Sequence, residues 1–449
     1  MSRAYDIIII GGGNAGFGVS AVAHAAGKSI AFVENRDFGG TCPNRGCTPK
    51  KVLVAAAHAL HEIELASDHG IEVGPPRLDW KRLIKREKSM IEHIPGAMAD
   101  LAEKRSDVYR GTATFTGANT LEVEGQVLQG GNIVIATGSV PRPLAIPGAQ
   151  HMITSDEVLS EEDQPREVVF IGGGVIALEF SHVYARAGTK VTILEAMPRL
   201  LPQFDDGAVA TLQAESERLG IAVVTGAQVK EIGETRRKFR VTYAVNGEER
   251  FVDADRVVNG TGRVANVEHL NLDAAGVKHD RIAIEVDDYL RSTSNPAVWV
   301  CGDALVGPAQ LSPVATYEGR IVGQNIVAGP TVKPDYHVIP SCVYTVPALS
   351  TVGLTEQAAR QAGLNIDVNV SDMTGWFSGK MHAETAAYAK VILDADTDNI
   401  VGAHMVGHSG EELIHVFAMA MRYGIRASDL RNDIFAFPTF SSDIKSMLQ

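Results

Sequence analysis

Tyr5-Asp6-Ile7-Ile8-Ile9-Ile10-Gly11-Gly12-Gly13-Asn14-Ala15-Gly16 is the stretch that decides the fold. Four consecutive isoleucines are too apolar for a strand with one face in water, and they read as a buried strand of a parallel sheet. The glycines form a tight turn into a helix. The pattern returns as Val168-Val169-Phe170-Ile171-Gly172-Gly173-Gly174-Val175-Ile176-Ala177. The match runs past the glycines. Ala26-Gly27 and a strand ending at Glu34 correspond to Ala187-Gly188 and Val191-Thr192-Ile193-Leu194-Glu195, with equal spacing from Gly11 to Glu34 and from Gly172 to Glu195. Each unit is a full βαβ dinucleotide fingerprint. Glycines allow the turn and close backbone approach, helix amides hold a pyrophosphate, and the terminal acid accepts a ribose hydroxyl. One glycine motif is weak evidence; two with matching acids predict an α/β protein with two Rossmann-like domains. The candidate nucleotide-binding residues are Gly11, Gly13, Gly16 and Glu34 in the first unit, and Gly172, Gly174, Ala177 and Glu195 in the second.

Just beyond the first fingerprint comes Gly39-Gly40-Thr41-Cys42-Pro43-Asn44-Arg45-Gly46-Cys47-Thr48-Pro49-Lys50-Lys51. Thiols at the start of a helix have depressed pKa values, because the N-terminal amides favour the thiolate, the form that attacks disulfides. The run resembles the redox-active motif of the flavin-dependent pyridine nucleotide-disulfide oxidoreductases, the family of glutathione reductase, dihydrolipoamide dehydrogenase and mercuric reductase. The likeness covers nearly the whole chain. It implies that Cys42 exchanges with the acceptor and that Cys47, nearer the flavin, forms a thiolate contact with it.

The resemblance also assigns the two units. The first becomes the FAD domain, with Gly40, Thr41, Thr137 and Gly138 joining its fingerprint residues. Thr293-Ser294-Asn295-Pro296-Ala297-Val298-Trp299-Val300-Cys301-Gly302-Asp303 resembles the second FAD motif and gives Asp303 to the ribityl chain. The second unit becomes the NAD domain, with Gly262 in its closing turn. The expected division is 1–150 and 286–335 for FAD, 151–285 for NAD, and 336–449 for an α+β dimerisation domain, so the resemblance implies a homodimer. Glu179 matches the family glutamate that pairs with a lysine near the reactive flavin nitrogen; that lysine is Lys51, with Lys50 as the neighbouring alternative. A carboxylate at Glu195 accepts from the 2′-hydroxyl of NAD and repels the 2′-phosphate of NADP, which favours NADH, although Arg199 lies close in sequence.

One departure stands out. Glutathione reductase-like enzymes carry His-Pro-Thr and a nearby glutamate close to the C-terminus, an acid–base pair serving the exchange cysteine across the dimer. This chain has Phe437-Pro438-Thr439-Phe440-Ser441-Ser442-Asp443. Phe437 replaces the histidine, the glutamate position falls on Ser442, and Asp443 is one residue out of register. Losing general acid–base catalysis costs about 10²–10⁴ in rate.

Composition narrows the functions further. The formal charge of −13, from 54 acidic and 41 basic residues, excludes the basic footprint of a nucleic-acid or anionic-membrane partner. The basic run over 81–88 reads as the solvated face of an amphipathic helix. Four cysteines are too few for a disulfide-stapled secreted scaffold, and Cys301 and Cys342 read as core residues. Without a signal peptide or a spanning apolar stretch, the expectation is a cytoplasmic protein. His58 and His61 share a helical face, and His404, His408 and His415 cluster, but no cysteine or carboxylate at ligand spacing predicts a metal site. The functional expectation is an NADH-dependent FAD enzyme passing electrons through Cys42 and Cys47 to a disulfide or another small oxidised acceptor. A quinone, a metal ion or a ketone-type substrate is the alternative acceptor, and a redox-sensing flavoprotein is the alternative without turnover.

Overall fold

The computed structural model describes residues 3–280, 283–307 and 309–449. The chain divides into two compact units, one made of 1–50, 85–142 and 263–336 and the other of 51–84, 143–262 and 337–449.

The first unit is built on a seven-stranded sheet. Strand Arg3–Ile10 lies at its centre, parallel to Ile30–Glu34 on one side and to Gln126–Ile135 on the other. Asp107–Arg110 extends the sheet in parallel beyond Ile30–Glu34, and Val298–Val300 pairs in parallel with the end of Gln126–Ile135. The start of that long strand instead carries the antiparallel hairpin Ala113–Gly117 and Thr120–Val123. Ile7, Ile8, Ile9 and Ile10 are all buried, and each contributes about 1.5–3 kcal/mol by leaving water. Helix Asn14–Ala25 packs on Ser312–Ala328 through small residues; a Cβ on Gly319 would lie 2.1 Å from the Ala15 carbonyl oxygen. Any larger residue there would separate the helices.

In the second unit the strand order is Ala222–Thr225, Lys190–Glu195, Glu167–Ile171, Arg256–Asn259 and Met152–Ile153, all parallel. Helix Val175–Arg186 follows the strand Glu167–Ile171 and repeats the local plan of the first unit. A three-stranded antiparallel sheet, Gln228–Glu234, Phe239–Val245 and Glu248–Ala254, is inserted before the closing strand. The remainder is an antiparallel sheet in the order Ser341–Val343, Ala348–Gly353, Ile400–Gly407, Tyr388–Asp394 and Ile366–Asp372. Helix Gly410–Tyr423 buries Leu413, Ile414 and Phe417 in the same cluster as Val352 and Met405. This is the strand-and-helix pattern expected after residue 336.

Among the described residues no helix is long and apolar enough to cross a membrane. The helix Trp80–Ile91 exposes Lys81, Arg82, Lys85 and Arg86, but Glu87 departs from the solvated face. It is buried, its Oε2 has no hydrogen-bond partner among the described residues, and burial pushes its pKa up to about 7. Cys301 is fully buried, whereas Cys342 is only half-buried.

Candidate active site

The two glycine loops are alike down to individual hydrogen bonds. Gly11 donates its N–H to Val33 O at 2.8 Å, and Gly172 donates to Leu194 O at the same distance. Both have positive φ, +110° and +99°, and a Cβ would stand 2.2 Å from Ala136 O at the first and 2.4 Å from Gly260 O at the second. Only glycine accepts that backbone and that closeness. Each acid is held by its own loop. Glu34 accepts from Gly12 N at 2.6 Å and Arg36 N at 2.7 Å, while Glu195 accepts from Gly173 N at 2.5 Å and Met197 N at 2.6 Å. A carboxylate has about four lone-pair sites, so each acid is fixed in place with acceptor capacity left for a ribose hydroxyl.

In the first unit these features fit a flavin dinucleotide. Gly40 begins the helix Thr41–Arg45 and sits against Gly13, where a Cβ would come within 2.7 Å of the Gly13 Cα. Thr137 Oγ1 is buried without a hydrogen-bond partner among the described residues, and Gly138 borders open space. A buried hydroxyl without a partner beside an open turn leaves hydrogen-bonding capacity that a polar ligand there would satisfy. Asp303 Oδ2 accepts from Ser139 Oγ at 3.0 Å, and Ser139 Oγ in turn accepts from Arg263 Nε at 2.8 Å. Burial raises the Asp303 pKa, while the Ser139 hydrogen bond and the Arg263 charge oppose it. Buried Glu318 ties down the preceding residue, accepting from Gly302 N at 2.7 Å and from the Tyr336 hydroxyl at 2.6 Å. Sequence reasoning singled out none of Ser139, Arg263, Glu318 and Tyr336.

The dithiol lies in the same unit. Cys42 is on the short helix Thr41–Arg45, and Cys47 opens the long helix Cys47–Leu65. Neither is in a disulfide in this structure, with Cys42 half-buried and Cys47 exposed. The Cys42 thiol is brought down to about 6, chiefly by a hydrogen bond from Cys47, with further help from Ser312, the Cys47 amide and the Lys50 charge; burial works against them.

In the second unit Glu179 is buried and its Oε1 accepts from Tyr344 N at 2.9 Å. Lys51 Nζ lies 3.8 Å from Glu411 Oε1 and 3.9 Å from the centroid of the Tyr344 ring. Tyr344 therefore meets both residues expected to act at the flavin, and Glu411 is an acid that sequence reasoning did not single out. Arg199 is committed to its own loop, with Nη2 2.9 Å from Asp206 Oδ1 and Nη1 donating to Phe204 O at 3.2 Å.

Near the C-terminus Phe437 is 83% exposed. Ser442 and Thr439 cap one turn reciprocally, Thr439 N donating to Ser442 Oγ at 3.2 Å and Ser442 N to Thr439 Oγ1 at 3.1 Å. Asp443 accepts from the Ser378 hydroxyl. Of the histidines clustered in sequence, His404 is buried against Thr351 and Leu354, His408 stacks on Phe440 and His382, and His415 is exposed, so the three do not converge. Among the described residues no group of three or more His, Cys, Asp or Glu side chains is placed to hold a metal ion.

The pyridine nucleotide-disulphide oxidoreductase model matches residues 5–319, and the dimerisation-domain model of the same family matches 339–448. The chain belongs to the pyridine nucleotide-disulphide oxidoreductase family. It is 34% identical over 453 residues to a dihydrolipoyl dehydrogenase of Thermus scotoductus, covering 98% of this chain and 96% of that one. With a mercuric reductase of Staphylococcus aureus it shares 30% identity over 446 residues, 98% of this chain and 81% of the relative. Among solved structures, the HOCl-induced flavoprotein disulfide reductase RclA from Escherichia coli superposes with a TM-score of 0.87 at 27% identity, covering 99% of both chains; its Cu(II) complex gives 0.89 at 27% identity, covering 100% of this chain and 99% of that one. Members of this family are flavoenzymes that use FAD and a nicotinamide nucleotide, and the family supports FAD-dependent disulfide oxidoreductase activity for this chain.

Proposed function

We propose that this enzyme oxidises NADH and delivers the electrons through the Cys42–Cys47 dithiol to a small oxidised acceptor. The observation that carries the proposal is the Cys42–Cys47 pair set at the start of helix Cys47–Leu65, where the lowered pKa of Cys42 makes it the ready nucleophile. Gly11, Gly13, Gly16, Glu34, Gly40, Thr41, Thr137, Gly138 and Asp303 would hold FAD. When bound, FAD accepts hydride from the reduced nicotinamide and passes an electron pair onward. Gly172, Gly174, Ala177, Glu195 and Gly262 would hold the nicotinamide nucleotide. Glu195 would take its ribose hydroxyl, and the commitment of Arg199 to Asp206 supports NADH over NADPH. Lys51 or Lys50, with Glu179, would supply the charges around the nicotinamide–flavin exchange.

With a disulfide acceptor, the Cys42 thiolate attacks one sulfur and expels a thiolate. Cys47 loses its proton and displaces the second thiolate, so the dithiol becomes a disulfide and two acceptor thiols leave. The first leaving group needs a proton that Phe437 cannot donate. That favours an acceptor with an acidic leaving thiol or one that needs no proton relay. The latter is the second reading: the resemblance to mercuric reductase supports a metal ion, and quinones and ketone-type substrates belong to the same group. A redox-sensing flavoprotein without rapid turnover is the remaining alternative. The segments 1–150 with 286–335, 151–285 and 336–449 serve as FAD, NAD and dimerisation domains in this reading, and the working form is a homodimer in the cytoplasm.

The test is an anaerobic NADH titration with thiol counting, followed by an acceptor screen. The dithiol reading expects NADH to generate two new thiols per subunit and Cys42→Ser to abolish turnover. Undiminished turnover in Cys42→Ser overturns it.

A further inference from the structure

Between Glu195 and the helix Asp206–Arg218 the chain folds back over the second glycine turn. Leu200 and Leu201 are fully buried there. Leu201 donates its N–H to Gly173 O at 3.3 Å, and Leu200 Cδ2 stands 2.3 Å from where a Cβ on Gly173 would lie. The loop then turns at Phe204, whose N–H bonds Leu201 O at 2.9 Å, and it ends at Asp205. One Asp205 oxygen caps the helix, accepting from Gly207 N at 3.0 Å and Ala208 N at 3.1 Å. The other accepts from Lys390 Nζ at 2.9 Å, the two side chains being only 3% and 10% exposed.

Lys390 belongs to strand Tyr388–Asp394 of the antiparallel sheet. Two residues before it, the Tyr388 hydroxyl lies 2.1 Å from where a Cβ on Gly207 would stand, so the sheet meets the helix start with no room for a side chain. A buried carboxylate that loses its cation is strongly destabilised. The ion pair therefore pins the end of the loop to the sheet. Arg199 is tied to the same corner through Phe204 O and Asp206.

We propose that Lys390, acting through Asp205, is a positioning residue that selects the nicotinamide nucleotide: it fixes the loop that backs Gly173 and keeps Arg199 committed to its own corner rather than to a 2′-phosphate. The proposal rests on the reading of Glu195 and the second glycine loop as the NADH site.

A second acid makes the role separable. Glu356 Oε2 also lies 3.3 Å from Lys390 Nζ, but Glu356 sits on the helix Glu356–Gln361 and its other hydrogen bonds among the described residues go to Arg360. If Lys390 merely stabilised the sheet, the two acids would be equivalent. Acting on the nucleotide through the loop, it needs Asp205 alone.

The experiment titrates the oxidised holoenzyme with NAD⁺ and with NADP⁺ in a calorimeter, which requires no turnover. Asp205→Asn keeps a helix cap and removes the ion pair. It should raise the Kd for NAD⁺ about fivefold, a size typical of coupling through packed side chains, and that for NADP⁺ by less, so the preference for NAD⁺ falls. Lys390→Met should act in the same direction and more strongly, and adding Asp205→Asn to it should recover part of the loss, because no buried charge is then left unpaired. Glu356→Gln should leave both constants at their wild-type values. Asp205→Asn carries the test if Lys390→Met does not fold. An unchanged preference in Asp205→Asn, or an equal loss in Glu356→Gln, overturns the proposal. Glu195→Gln is titrated alongside. If it shifts the preference while Asp205→Asn does not, only the role of Lys390 falls; if Glu195→Gln leaves the preference unchanged, the NADH-site reading has failed and takes the proposal with it.

Discussion

The Gly173 amide donates to Glu195 Oε2 at 2.5 Å, so the acid that faces the nucleotide ribose in the proposed function also braces the loop that would hold the pyrophosphate. The same relation joins Gly12 and Glu34 at 2.6 Å. In that reading specificity and loop rigidity depend on one carboxylate in each unit.

Glu195→Gln keeps an acceptor oxygen for one of the two amides but removes the charge that repels a 2′-phosphate. The ratio of kcat/KM for NADH over NADPH should fall at least about tenfold, roughly 1.4 kcal/mol. Glu195→Ala should also destabilise the protein by about 1–3 kcal/mol, because the Gly173 and Met197 amides lose their acceptor. Steady-state kinetics with both nucleotides check the first result and thermal denaturation the second. A wild-type preference for NADPH would refute this role for Glu195.

Asp303 is held by Ser139, and Ser139 by Arg263. Asp303→Ala should leave a folded protein that loses flavin on dilution. Ser139→Ala should weaken retention less, since it removes only the orientation of the carboxylate. The check is FAD absorbance per chain after gel filtration, with wild type expected to keep one FAD per subunit. Full retention in Asp303→Ala would remove it from the flavin site.

Wild-type activity on glutathione disulfide and lipoamide should be low because Phe437 cannot shuttle a proton. Phe437→His alone should do little, since the Ser442 side chain is occupied in the Thr439 turn and has no charge to orient an imidazole. Combining Phe437→His with Ser442→Glu should raise disulfide reduction, by up to about 10²-fold if the pair recovers part of a typical acid–base contribution. Efficient disulfide turnover by wild type, about 10⁶ M⁻¹s⁻¹ in kcat/KM, would place the proton source elsewhere. Asp443, engaged by Ser378, is then the first residue to replace.

Glu87 gives the pH prediction. Its folded pKa is raised to about 7 by burial from an ordinary value of 4.5. Between those values the folded chain keeps the proton and the unfolded chain has released it. Stability from this group is thus greatest below the lower value and is lost as pH rises toward 7. Glu87→Gln, which needs no proton, should match wild type near pH 4 and exceed it by about 1–3 kcal/mol at pH 8. Denaturant melts at the two pH values test this; equal gaps would show that Glu87 titrates normally in the folded state.

The paired fingerprints were legible because backbone demands are local. Ile7–Ile10, Gly11 and Glu34 sit in one continuous stretch, and the sheet and turn they encode follow from apolar runs and a positive φ. The basic run at 81–88 misled at one position only. A charged residue on a helix reads as solvated, and the burial of Glu87 depends on what packs across from it.

The amino-acid sequence by itself determined two βαβ nucleotide units, a dithiol at a helix start and the missing histidine at Phe437. Each is a matter of residue type and short spacing, which dictate hydrogen-bonding periodicity and chemical capacity. Only the tertiary structure decided which distant side chains meet beside them. Asn14 and Ser312 lie 298 positions apart and Ser139 and Asp303 164 apart, and no local pattern joins such pairs. They meet because the first-unit sheet takes back its last strand and its closing helix after the whole second nucleotide fold has been inserted. A hydrogen bond acts over about 3 Å, so its existence depends on that closure rather than on anything nearby in the chain.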